Sequence, residues 1–136
     1  MKSKSLFICA LLTSLAGSGA FAADHGCGPR PTTPDLFDPQ TADRARVMEN
    51  KAAFETYQAS NTVYLDCMEA YAKSDAFAAQ PQEDIDTQTT ELNREMQAVM
   101  AEEQAYADNF NTNAKAWVDV QRAAKEEAAA SEDPNL

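Results

Sequence analysis

The chain has 136 residues, 22 of them Asp or Glu against 11 Lys or Arg, for a formal net charge of −11. So acidic a chain disfavours nucleic acid and anionic lipid as partners and favours solubility. Its length allows one domain at most.

Residues 1–22 read as a secretory signal peptide. Lys2 and Lys4 form a basic start, and Leu6 to Ala16 form an apolar stretch too short to span a bilayer comfortably. Gly17, Ser18 and Gly19 break that stretch, and Ala20-Phe21-Ala22 supplies small residues at the two positions that a signal peptidase inspects. Cleavage after Ala22 ranks above cleavage after Ala23, which would put bulky Phe21 where a small residue is needed. An uncleaved anchor is disfavoured by the short run, and no lipoprotein signal is present. Cys9 lies inside the run, and Cys27 lacks the small apolar residues that precede a lipidated cysteine. Losing Lys2 and Lys4 lowers the net charge from −11 by two, to −13. The expected localisation is periplasmic or secreted, with no stable membrane insertion after cleavage.

Two cysteines then remain, Cys27 and Cys67. In an oxidising compartment they are expected to form one structural disulfide, with an intermolecular bridge as the rival. Two isolated thiols are poor zinc ligands, and the Cys-x-x-Cys spacing of a redox-active pair is absent.

Residues 23–40 carry Gly26, Gly28, Pro29, Pro31, Pro34 and Pro39, which exclude a helix and favour an extended arm. Beyond Pro39 only Pro81 and Pro134 interrupt stretches of about 40 and about 50 residues that are rich in helix formers. One helix is expected over 41–79, a turn near 80–82, a second helix over 83–131, and a disordered tail over 132–136. From Ala123 onward the second helix is expected to lack a partner and fray.

Apolar residues in both segments step by three and four alternately, the spacing of a coiled-coil seam. In the first the seam is Val47, Asn50, Phe54, Tyr57, Asn61, Tyr64, Met68 and Tyr71. In the second it runs from Ile85 and Thr89 through Leu92, Met96, Val99, Glu103, Tyr106, Phe110, Asn113 and Trp117 to Val120 and Ala124. Folding back near Pro81 sets Tyr71 against Leu92, Met68 against Met96 and Tyr64 against Val99. Further along it sets Tyr57 against Tyr106, Phe54 against Phe110 and Val47 against Trp117. The polar residues coincide too, Asn61 with Glu103 and Asn50 with Asn113, as layers that fix register. The expected fold is therefore all-α: a long antiparallel two-helix coiled-coil hairpin with an extended Pro-rich N-terminal arm tied to the first helix by a disulfide.

Lengths support the tie. Cys67 lies about 39 Å along a helix begun at Thr41, and the steps from Cys27 to Thr41 span about 43 Å in polyproline II. On this reading Leu36 and Phe37 cover apolar surface such as Val63 or Leu65. A hairpin burying one seam is marginal alone, and closing the loop adds about 3 to 4 kcal/mol.

Little chemistry is legible. His25 is the only histidine, no phosphate loop follows a strand, and the acids do not follow calcium-loop spacing. Pairs such as Glu102-Glu103 and Glu126-Glu127 read as solvated helix faces, so the chain is not expected to be an enzyme. One motif stands out. Cleavage after Ala22 would expose Ala23-Asp24-His25, whose amine, two backbone nitrogens and imidazole can wrap Cu(II) or Ni(II) in a square plane. This start resembles the amino-terminal copper and nickel site of albumins.

The layout resembles small secreted proteobacterial proteins of unknown function. The residues carrying the resemblance are Cys27-Gly28-Pro29, Tyr64-Leu65-Asp66-Cys67 and Phe110-Asn111. It implies a helical hairpin and no activity or site. Three roles are therefore carried forward. The first is a protein–protein interaction or structural module of the cell envelope, perforce with an unidentified partner, a homo-oligomer included. The second is a Cu(II)- or Ni(II)-binding protein. The third is a small holdase-type chaperone offering Met68, Met96 and Met100 as adaptable apolar surface.

Overall fold

A computed structural model describes residues 25–131. The signal-peptide reading, Ala23, Asp24 and the tail over 132–136 lie outside them. Among the described residues there are three helices and no strand: α1 (Arg44–Ala72), α2 (Asp75–Ala78) and α3 (Gln82–Ser131). Residues 25–43 form neither helix nor strand.

α1 begins three residues later than expected. Asp43 caps it, its Oδ1 accepting the Arg46 N–H at 2.8 Å, so one of the free donors of the first turn is satisfied. Just before it, Asp38 closes a turn by accepting from the backbone of Thr41 and Ala42.

The first helix does not run on to residue 79. It stops at Ala72, where the Lys73 N–H turns back to Glu69 and Ala70. Ser74 then caps α2, accepting the Phe77 N–H at 3.1 Å while its own hydroxyl donates to the Tyr71 carbonyl. The seam spacing explains the break. Continuing α1 unbroken would carry the three-four step from Tyr71 to Asp75 and Ala78, leaving Phe77 outside. Breaking the helix buries Phe77, 6% exposed, with Tyr64, Met68, Leu92 and Val99. Its ring meets the edge of Tyr71 at 5.3 Å. A fully buried Phe side chain is worth roughly 1.5–3 kcal/mol over an exposed one, more than the lost helical turn costs.

α1 and α3 lie against each other with contacts that run in opposite chain directions. Asn61 meets Glu103, Tyr57 meets Tyr106 with ring centroids 6.2 Å apart, and Phe54 meets Phe110 at 6.0 Å. At the far end Trp117 Nε1 donates to the Ala42 carbonyl at 2.9 Å. Near α2, Tyr71 Oη donates to Gln88 Oε1 at 2.9 Å. Tyr57, Tyr64, Met68, Leu92, Val99 and Tyr106 are buried.

The segment before α1 is tied by a Cys27–Cys67 disulfide. Gly26 and Gly28 flank Cys27 with φ of 68° and 77°, conformations that side chains rarely adopt and that turn the chain sharply on both sides of the sulfur. From there the segment advances in the same direction as α3. Arg30 reaches Glu95 and Glu102, Phe37 reaches Phe110 and Asn113, and Ala42 reaches Trp117.

α3 runs through Ser131, the end expected for it, and residues 121–131 are all exposed. Ala, Gln, Arg, Lys and Glu fill this part, all strong helix formers.

Candidate functional site

The segment over 25–42 covers one side of the α1–α3 contact, and its fit is specific. Asn50, 3% exposed, donates through Nδ2 to the Asp35 carbonyl and accepts from Tyr106 Oη at 3.1 Å. Asn113 Nδ2 donates to the Phe37 carbonyl at 2.8 Å. Phe37, 2% exposed, sets its ring edge-on to Phe110 with centroids 5.7 Å apart. Arg30 approaches Glu102 at 2.6 Å and Glu95 at 3.6 Å. Between this segment and α1 lies an open groove of about 580 Å³ lined by Pro29, Arg30, Pro31, Ala53, Thr56 and Ser60.

One expectation gains detail here and one needs correction. Asn50 and Asn113 were expected as one polar layer, and each hydrogen-bonds with other partners, Asn50 with Asp35 and Tyr106 and Asn113 with Phe37. The non-helical segment supplies carbonyls without a helical partner, and a buried amide is most cheaply satisfied there. Phe37 was expected near Val63 or Leu65, but Val63 is 71% exposed and Phe37 sits on Phe110. The rise per residue decides this. Ten extended steps from Cys27 cover about 31 Å, equal to some twenty helical residues back from Cys67, which is well past Val63.

The Asn61 layer spans the two helices. Asn61 Nδ2 donates to Glu103 Oε2 at 2.9 Å, and Gln58 Nε2 donates to Oε1 at 3.1 Å. Asn61 is 1% exposed, and its Oδ1 has no partner. Glu102 and Glu103 are thus not simply a solvated face: one carboxylate meets Arg30 and the other receives two amides. Glu126 and Glu127 are exposed.

Of the other seam positions, Val47, Phe54, Met96, Phe110 and Trp117 are half-buried, as is Tyr71. The phenols of Tyr64 and Tyr106 are held above their ordinary value, in both cases mainly because burial disfavours the charged form. Glu95 beside Tyr64 pushes the same way.

His25 is the one member of the Ala23-Asp24-His25 motif within the described residues. It is half-buried, its ring edge-on to Tyr64 at 5.7 Å and to Tyr71 at 6.3 Å. Its Nδ1 accepts the Cys27 N–H at 3.2 Å. Chelation with its own backbone nitrogen closes a six-membered ring only through Nδ1, so this arrangement occupies the atom such a site needs. No group of three or more His, Cys, Asp or Glu that could hold a metal occurs among the described residues. The three methionines differ: Met68 is fully buried, Met96 half-buried and Met100 51% exposed.

Asn50 and Asn113 were read from the sequence as a polar layer without their partners, while the contacts of Arg30 and Gln58 were not read at all. Arg30 alone of these two carried a signal, as an isolated cation between prolines in a chain rich in acids.

Among the described residues no helix is long and apolar enough to cross a membrane. No protein family, curated protein or solved structure matches this chain.

Proposed function

We propose that the protein is an exported, non-enzymatic module of the periplasm or cell envelope that acts by binding another protein. In this reading α1 and α3 form an antiparallel coiled-coil hairpin, and the Pro-rich segment is an arm fastened over one of its sides. The single observation that carries it is the one-sidedness of the packing. Arg30, Phe37 and the carbonyls of Asp35 and Phe37 fill one side of the helix pair, while three of the four exposed large apolar side chains, Met48, Met100 and Val118 but not Val63, lie elsewhere on it. A covalently fastened cover leaves the other side as the surface free to engage a partner. Export is supported by the Cys27–Cys67 bridge, since such bonds persist in oxidising compartments.

Photo-crosslinking in the native cell tests this reading. A photoreactive residue at Met100 is expected to capture a protein, whereas one at Thr56, beside the arm, is not. Capture at Thr56 alone, or at neither position, contradicts it.

A further inference from the structure

We propose that the partner of the uncovered side is a second copy of this chain, bound through α3 about a two-fold axis that passes between Gln104 and Ala107. The proposal deepens the interaction reading above and rests on it.

The observation is a second stripe along α3, distinct from the seam, that also steps by three and four. Its direction follows from two contacts. Glu95 and Glu102 point to the arm through Arg30, while Glu103, one position on, accepts from Gln58. The stripe of Asn93, Met100, Ala107 and Ala114, with the positions between them, lies beyond Glu103 on the flank away from the arm. These positions are exposed or half-buried. In a chain of net charge −11 this stripe holds no charged residue from Thr90 to Gln121. It begins with Glu83 and Asp86 and ends with Lys125.

Acid at one end, neutral in the middle and base at the other is a self-complementary order. A two-fold axis runs two copies of α3 antiparallel, so that Lys125 of each approaches Asp86 of the other. Neutrality matters as much as the ends. Elsewhere the acidic surface would repel a second acidic copy, and here nothing does. Exposed Met100 and Val118 supply apolar contact, and Ala107 and Ala114 allow close helix approach.

Size is sufficient. From Thr90 to Gln121 the stripe is about 46 Å long. With the adjoining flank of α1 that carries Lys51, Gln58 and Leu65, a strip about 20 Å wide gives roughly 900 Å² per copy, against about 800 Å² for a standard stable interface. Because α3 runs on past the start of α1, the same axis lays residues 121–131 of one copy along the first turns of the other's α3. That would cover a stretch which is otherwise a short unpartnered helix, marginal in water.

The test uses the full gene product expressed with its own N-terminus, with the Cys27–Cys67 bridge intact. Light scattering at about 100 µM is expected to give twice the mass of one chain. Gln104→Cys and Ala107→Cys are each expected to form a covalent dimer on mild oxidation, and Ala105→Cys, exposed on the flank of Glu102, is not. Lys125→Glu is expected to weaken the dimer roughly tenfold, and adding Asp86→Lys to restore it, with unchanged helical circular dichroism showing that each variant folds. A single-chain mass overturns the proposal, as does a dimer that oxidises equally well through Ala105→Cys or ignores the charge swap. With a single-chain mass, capture of a different protein at Met100 would leave the interaction reading standing, and no capture would remove both.

Discussion

Tyr106 Oη donates to Asn50 Oδ1 at 3.1 Å, and the same amide donates onward to the Asp35 carbonyl. One buried side chain on α1 therefore joins α3 and the preceding segment, so these three parts are coupled rather than independently packed.

Removal of that amide tests the coupling. Asn50→Ala deletes two hydrogen bonds and strands the Tyr106 hydroxyl, which is 4% exposed with its residue. The expected loss is about 2–3 kcal/mol, since leaving buried polar groups unpaired costs more than the bonds contribute. Tyr106→Phe is expected to cost about 1 kcal/mol. Urea unfolding followed by helical circular dichroism measures both, and equal effects of the two substitutions would contradict the bridging role.

The disulfide closes a separation of 40 residues. Replacing both cysteines by serine is expected to lower stability by about 3–4 kcal/mol in the chain-entropy model. Hydrogen exchange should also rise in the segment around Arg30 before it rises in α1. A uniform rise across both would mean that the segment is not a separable layer.

How much of this could be read from residues alone follows from what each residue must satisfy. The placement of glycine and proline marks the long helices because those residues break helices by backbone geometry. Cys27 and Cys67 are the only cysteines beyond Cys9, so counting calls for one bridge but leaves open whether it joins one chain or two; in the structure it lies within the chain. The break at Ser74 is harder, because serine is tolerated inside helices. It becomes legible only when Phe77 is seen to fall off the seam spacing. For Asn50 and Asn113 the polar layer was legible but the partners were not, because a sequence shows that a buried amide needs a partner but not which carbonyl will supply it. Phe37 was misplaced because the two rises were matched over the whole arm and not at Phe37 itself, ten extended steps from Cys27.

The Asn61–Glu103 layer offers a separate test. Asn61→Leu removes one of the two amides that serve Glu103 and is expected to destabilise by about 1–3 kcal/mol. Asn61→Leu together with Glu103→Leu replaces the layer by apolar packing and is expected to be neutral or stabilising, at the expense of a unique register. Thermal unfolding separates them. If the double substitution destabilises more than the single one, the layer is worth more than apolar packing.

Alkaline pH should weaken the fold through two phenols. Tyr64 and Tyr106 hold their protons above the ordinary value of 10.0, chiefly because they are buried. Between that value and the raised folded values the folded chain binds more protons than the unfolded one, so stability falls as pH rises. Their contribution is fully present below 10.0 and is lost as pH climbs through the folded values. Tyr64→Phe with Tyr106→Phe should flatten the slope of stability against pH above 10.0, whatever the starting stability. Tyrosinate absorbance and circular dichroism recorded together measure it, and an unchanged slope would contradict this cause.

The most direct measurement is a pulsed dipolar distance between spin labels at Ala59→Cys and Ala105→Cys, both exposed positions, diluted with unlabelled protein. If α3 doubles back along α1, the labels lie on opposite outer faces of two adjoining helices and should be about 20–30 Å apart. A continuous extended helix would separate them by about 69 Å, and any distribution centred near that value contradicts the doubled-back arrangement and the uncovered surface that depends on it.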